Sequence, residues 1–263
     1  VTADLAGSVL SMRTLMAWAP DGFPDVRPGA DLPALVVEIL RAHGLRPQEG
    51  DVVVVAQKVV SKAEGSVVNL DAVTPGPQAR TLGAVARKDP RLCQVILDES
   101  RAVLRVRPGL IICEHRLGYI CANAGVDHSN VGLGPQWVTT LPRDPDASAA
   151  AIREALARAF GAPVGVVVND THGRAFREGA VGVAIGVAGL DPLYSYVGVE
   201  DRYGYVLQTS VEAVADELAG VASLLQGQAA EGRPVVVIRG GRVQAGAGSG
   251  ARLVRPPERD LFR

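Results

Sequence analysis

Residues 163–190 read "PVGVVVNDTHGRAFREGAVGVAIGVAGL", and this stretch decides the fold class. Val164–Val168 is apolar without alternation and too short for a helix, so it reads as a strand covered on both faces. A polar turn begins at Asn169, and a Gly-rich strand returns. The strand is preceded by "DASAAAIREALARAFG" (146–161), an amphipathic helix with Gly161 at its end. A helix feeding a buried strand, followed by a hairpin, implies mixed strand directions.

Working outward, "DLPALVVEILRAH" (31–43) predicts a helix, with Asp31 as N-cap, Pro33 in its first turn and Gly44 closing it. "EGDVVVVAQKVVSKAEG" (49–65) predicts a Gly-Asp turn, a buried strand over Val52–Ala56, and a polar loop. Residues 75–90 predict a helix entered through Pro75 and Pro77. "QVILDES" (94–100) and "AVLRVRPGLIICEHRLGYICANAGVD" (102–127) predict paired strands, the second pair turning at "EHRLG" (114–118). "SVEAVADELAGVASLLQGQ" (210–228) predicts a helix and "RPVVVIRG" (233–240) a last buried strand, with a Gly/Arg/Pro-rich surface tail from Gly240. The class is α+β or mixed α/β, with mixed sheets. No composition shift splits the chain. Residues 1–21 read as an N-terminal extension and 22–263 as one domain, with room for two subdomains.

Composition excludes several functions. Net charge is −1 with no basic block, so nothing points to nucleic acid or an anionic membrane. No apolar run approaches the roughly 18–20 residues of a membrane span, and no secretion signal is seen, so the expected location is the cytoplasm. Cys93, Cys113 and Cys121 form an odd set without a CxxC pair, which suits a reducing compartment. Cys113, His115 and Cys121 could ligate a metal, but the apolar runs around them favour ordinary buried thiols. Glu114, His115 and Arg116 read as a solvated turn. Asn169-Asp170-Thr171 is formally a glycosylation sequon, which carries no meaning without secretion.

Nucleotide fingerprints of the P-loop and Rossmann types are absent, as are the common hydrolase and kinase motifs. "GAGSG" (246–250) reads as a connector. The chain has 24 Arg and only three Lys, and two of these, Lys58 and Lys62, sit together in "AQKVVSKAEG". A compact ammonium suits a phosphate where a planar guanidinium does not fit. Asp170 follows one apolar strand directly and Asp127 another. Each can hold a hard cation, which needs one or two carboxylates and leaves other positions to water and phosphate, or can simply cap a turn. Ala122, Ala124 and Gly125 beside Asp127 permit close approach of a ligand, and Asn130 can donate to a base or phosphate. His128 and His172 read as solvent-facing or as supporting groups behind the acids. Arg174 and Arg177 could clamp anionic oxygens or pair with surface acids.

Several segments occur in the order found in coenzyme F420-0:γ-glutamyl ligases. They are "PDVRPGADL", "GDVVVVAQKVVSKAEG", "EHRLGYICANAGVDHSNVG", "NDTHGRAFREG", "VAIGVAGLDPLYSYVGVEDRYG", "VEAVADELAGVASLLQG" and "PVVVIRG". The chain resembles that family over roughly residues 22–263. The resemblance implies the family's own mixed α/β fold, an intertwined homodimer, and GTP-dependent addition of L-glutamate to the lactyl-phosphate side chain of F420-0. Further γ-linked glutamates can follow, and the other products are GDP and phosphate. It implies two Mg²⁺ or Mn²⁺ ions, with K⁺ as a further candidate.

Carried over by the resemblance, Asp127 and Asp170 match metal ligands, Thr171 stands beside a second metal, and Gln208 is a weaker candidate there. Gln57, Lys58, Lys62, Asn130 and the loop Phe23, Pro24, Asp25 and Val26 match GTP contacts. Asp127, Asp170 and Lys62 are the candidate catalytic groups. His128, His172 and Ser66 depart from residues frequent in relatives. In some relatives a flavin-binding nitroreductase-like domain follows. This chain ends at "RPPERDLFR", about where it would begin, so a stand-alone ligase form or an isolated domain is expected. The alternatives are a metal-dependent nucleotide phosphohydrolase, a ligase for a different acid acceptor, and a nucleotide-binding module without turnover.

Overall fold

The computed structural model describes residues 12–261. In chain order the first elements are β1 (Met16–Trp18), α1 (Leu32–Ala42), β2 (Val52–Ala56), α2 (Gln57–Glu64), β3 (Val67–Asn69), α3 (Pro77–Ala86) and α4 (Pro90–Asp98). Then come β4 (Ser100–Arg107), β5 (Leu110–His115), β6 (Ile120–Ala122), β7 (Trp137–Thr139) and α5 (Pro145–Phe160). The chain continues through β8 (Gly165–Arg174), β9 (Arg177–Ala188), β10 (Tyr194–Ser195), β11 (Val211–Glu212), α6 (Val214–Gln226) and β12 (Val235–Arg239).

The central sheet has the order β1-β12-β2-β8-β9. Only β2 and β8 run parallel; the other pairs are antiparallel. The valines of β2 show why its run is continuous. Val53 and Val55 pack beneath α1 and α5, whereas Val52 and Val54 pack beneath α6. A third core joins α3 and α4 to the small sheet β4-β5-β6. The mixed α+β expectation holds, and residues 16–18 of the expected N-terminal extension form the edge strand beside β12.

Three local readings need correction. The "polar loop" after β2 is α2, closed by Gly65 at φ +73°. Its inward residues include Gln57, Ser61 and Lys62, so hydrophobic periodicity is silent on a helix whose buried face is polar. The expected helix over 75–90 stops at Ala86, with Arg87 left-handed. "QVILDES" belongs largely to α4, whose N-cap Asp89 accepts from the Arg91 N–H at 2.8 Å. A three-residue apolar run, Val95–Leu97, alone cannot separate strand from helix.

The expected solvated turn at 114–116 is also corrected. His115 is fully buried, with Nε2 3.2 Å from the Glu99 carboxylate and Nδ1 accepting the Leu117 N–H at 3.0 Å. The tail is not wholly surface either: Gly250 is buried and its N–H reaches Asp146 Oδ1 at 2.9 Å. All three cysteines are free and buried, and burial together with the nearby Asp170 charge pushes the Cys121 thiol up to about 12. No helix among the described residues is long and apolar enough to cross a membrane.

β9 carries one more residue than its partner between Val168/Asn169 of β8 and Gly186/Ala184, a bulge at Ile185. The bulge removes that carbonyl from the ladder, and it accepts the Tyr119 hydroxyl at 2.6 Å. Bulges of this kind increase twist beside functional sites. On either side of it the strand meets a different helix at a glycine. A Cβ on Gly182 would lie 2.2 Å from the Ala219 carbonyl oxygen of α6, and one on Gly186 would lie 2.3 Å from that of Pro145 in α5.

Candidate functional site

β2 pairs with β8 only as far as Ala56 and Asn169. There β2 turns into α2, while β8 continues alongside β9 to Arg174. The sheet therefore opens at the carboxyl ends of its parallel pair, a place where α/β sheets commonly bind ligands. A cavity of about 450 Å³ occupies the opening. Asp170 thus lies inside a strand rather than at its end, but at the first position where one edge of β8 loses its partner.

The walls bring together most of the sequence candidates. Phe23, Pro24, Asp25 and Val26 line one side, Gln57, Lys58 and Lys62 another, and Asp127, Asn130, Asp170 and Thr171 complete the set. Lys58 and Lys62, four apart on α2, share a helix face. Lys62 is only 8 % exposed. Burial lowers its affinity for a proton, Asp25 opposes that shift, and Lys58 adds to it.

Asp127 is held by its backbone and its side chain together. Asn123 and Ala124, at φ near +50°, and Gly125 at +69° swing the chain away from β6. A Cβ on Gly125 would lie 2.5 Å from the Leu141 side chain, which explains the glycine. Asp127 then exchanges backbone hydrogen bonds of 3.0 and 2.8 Å with Thr139. Its carboxylate pairs with the Lys58 ammonium and accepts the Ser129 N–H at 2.9 Å and the Ser129 hydroxyl at 2.6 Å.

Burial pushes the Asp127 carboxyl up, but Lys58 and Ser129 together hold it below the usual carboxylate range. A depressed acid contributes stability above its unfolded pKa and loses it as pH falls through the folded one. Lys58→Met leaves burial opposed by Ser129 alone. The Asp127 carboxyl should then titrate at a higher pH than in the wild type, read by ¹³C-carboxyl NMR. An unchanged titration would show that Lys58 does not control the acid.

On β8, Asp170 accepts from His172 Nε2 at 3.0 Å, so His172 supports the acid from behind. Asn169 is buried and exchanges amide hydrogen bonds of 2.8 and 3.1 Å with Gln226. Thr171 Oγ1 accepts from Gln228 Nε2 at 3.1 Å, and Asn130, left-handed at φ +54°, donates to the Ala229 carbonyl at 2.9 Å. The whole segment Gln226–Pro234 lines the cavity. The sequence reading missed this loop; its signal was a Gly/Gln/Ala-rich connection between a helix and the last buried strand.

Not every candidate arrives. Gln208 is exposed on the segment between β10 and β11, donates to the Val206 carbonyl at 3.0 Å, and does not line the cavity. The glutamine beside Thr171 is Gln228. His128 is exposed and outside the cavity lining, and Ser66 is buried away from it, tied by backbone hydrogen bonds to Ser61 and Thr140.

Two carboxylates, a hydroxyl and an amide are hard oxygen donors, the set a Mg²⁺- or Mn²⁺-type cation takes beside phosphate. The described residues contain no group of three His, Cys, Asp or Glu placed to hold a metal. One or two carboxylates suffice when substrate oxygens complete the shell.

The description "F420-0:Gamma-glutamyl ligase" belongs to the family profile that matches residues 22–240. The chain is similar to the coenzyme F420:L-glutamate ligase of Methanothermobacter thermautotrophicus, 46% identical over 246 residues, covering 92% of this chain and 96% of that protein. The protein of the same name from Methanopyrus kandleri is 46% identical over 242 residues, 90% of this chain and 93% of the relative. That from Methanocaldococcus jannaschii is 44% identical over 216 residues, 82% and 86% respectively. Matched by the profile over residues 22–240 and by these relatives over most of its length, this chain belongs to the F420-0:γ-glutamyl ligase family.

Proposed function

We propose that the chain adds L-glutamate to F420-0, and to the one-glutamate product, using GTP and releasing GDP and phosphate. One observation carries this reading. Two acids, two lysines and the start of α2 converge on a single cavity at the open end of the parallel strands. Lysines and the unpaired N–H groups of a helix start suit phosphate, and the acids suit the cation that accompanies it.

A carboxylate does not condense with an amine unaided, because its oxygen is a poor leaving group. In the proposed route a carboxylate oxygen of the acceptor attacks the γ-phosphorus of GTP, and GDP leaves. The glutamate amine then attacks the acyl carbon, and phosphate departs with the former carboxylate oxygen. Lys58 and Lys62 supply fixed positive charge where the transferred phosphoryl group carries negative charge. Asn130 and the Phe23–Val26 loop orient the nucleotide, and the Gln226–Pro234 segment shields the cavity from water. Asp127, Asp170, Thr171 and Gln228 would hold divalent cations, which neutralise phosphate charge when bound.

The reading includes a homodimer in the cytoplasm. Tyr203, Tyr205 and Val211, exposed on the segment leading from β10 into β11, offer an apolar surface for the second copy. The test is incubation with F420-0, L-glutamate, GTP and Mn²⁺, with products read by mass spectrometry. A GTP-dependent mass gain of one or more glutamyl units is expected. GDP release without that gain would favour the phosphohydrolase reading.

A further inference from the structure

The hairpin that carries Asp170 and Thr171 continues past the cavity. β8 runs on to Arg174, and Arg177 of β9 stands directly across from it. Strand alternation places Asp170, His172 and Arg174 on one face, and the four residues from Asp170 to Arg174 span about 13 Å at ~3.3 Å each. Two guanidinium groups opposed in an antiparallel ladder repel each other. Both are exposed, neither lines the nucleotide cavity, and among the described residues neither pairs with a carboxylate. Arg174 spends one N–H on the Gly179 carbonyl at 3.0 Å, which leaves most of its fork available.

The opposition is built into the tip. Phe176 is left-handed at φ +61°, a conformation unfavourable for a bulky residue, and Gly179 follows at φ +80°. The register shifts between Gly173 and Arg174, and that shift sets Arg174 against Arg177. Strain and like-charge repulsion both oppose this arrangement, and an anionic ligand relieves the second.

We propose that Arg174 and Arg177 form an anion subsite for an acid substrate, distinct from the nucleotide cavity and at the far end of the strand that carries Asp170. The assignment rests on the ligase reading above. Planar forks bind phosphate or carboxylate oxygens in pairs. The same chemistry is offered by the phosphate of the acceptor and by the carboxylates of glutamate.

Titration calorimetry separates these sources, using the wild-type full chain and its R174Q/R177Q variant with F420-0, L-glutamate and GTP in turn. The subsite predicts that Kd for F420-0 or for glutamate weakens about tenfold or more, while Kd for GTP holds. Tm should stay level or rise, because a repulsive pair is gone. Weakening confined to F420-0 assigns the acceptor phosphate, and weakening confined to glutamate assigns its carboxylate. R174K/R177K, which keeps charge but loses the forks, should bind with intermediate affinity. Unchanged Kd for both acids, or a loss shared with GTP, overturns the subsite. Binding is measured without turnover, so a wild type that binds acids but forms no glutamyl product would sink the ligase reading and leave the subsite standing.

Discussion

Asp170→Asn should lower kcat for glutamyl transfer by about 10³-fold or more, with the fold intact. The size follows from losing a charge placed to organise phosphoryl transfer, where single electrostatic elements are worth that much. Asn has nearly the volume of Asp and keeps a carbonyl oxygen to accept from His172, 3.0 Å away in the wild type. The backbone of residue 170 pairs with Val183 regardless of its side chain. Circular dichroism melting should therefore match the wild type within a few degrees while product formation collapses. Wild-type turnover in Asp170→Asn would remove the acid from the mechanism and with it the proposed cation site.

Gly182→Ala should cost about 2–3 kcal/mol of stability through overpacking, or a Tm fall of roughly 4–6 °C for a chain of this size. The added Cβ meets backbone, since the Ala219 carbonyl carbon is 2.7 Å away in addition to its oxygen, and Ser223 Cβ is at 3.0 Å. No side-chain rotation relieves that contact, so α6 must lift from β9. Gln226 closes that helix, and Gln228 follows it to meet Thr171. A displaced α6 should therefore also weaken GTP binding. Gly220 is the control, because nothing lies within 4 Å of its added Cβ. Gly220→Ala should be neutral or stabilising by up to about 1 kcal/mol. Equal melting temperatures for the two variants would mean that α6 is not packed against β9 as described.

The contrast between these glycines bears on how much could be read beforehand. The hairpin of residues 163–190 was legible in outline from five apolar residues, a polar stretch and a Gly-rich return, but the turn expected from Asn169 lies at residues 175–176 because β8 stays paired with β9 to Arg174. Its bulge was not, since the extra residue at Ile185 makes no mark on composition. Asp127, Asp170, Lys58 and Lys62 were legible as chemistry because each is an unusual residue for its surroundings. Their convergence depends on where β2 ends, which no local pattern states. α2 was missed because its buried residues mix polar Gln57, Ser61 and Lys62 with a single apolar one, Val60, which leaves no clear apolar stripe. The i,i+4 spacing of the lysines and the closing Gly65 were the available signals. The Gln226–Pro234 loop lacks a periodic pattern to draw attention to it, and it touches Thr171 and Asn130 through contacts between distant segments. Gln208, carried over on resemblance alone, lies on the segment between β10 and β11 outside the cavity, while Gln228 stands beside Thr171.

The central claim is that this cavity joins glutamate to an acid through transfer of a phosphoryl group. The most direct measurement runs the ligation with ¹⁸O in the terminal carboxylate of F420-0 and reads the released phosphate by mass spectrometry. The account predicts one ¹⁸O atom in each phosphate, formed in step with the glutamyl product and dependent on GTP. Phosphate free of ¹⁸O, its fourth oxygen taken from water, and released without a glutamyl product, would contradict it.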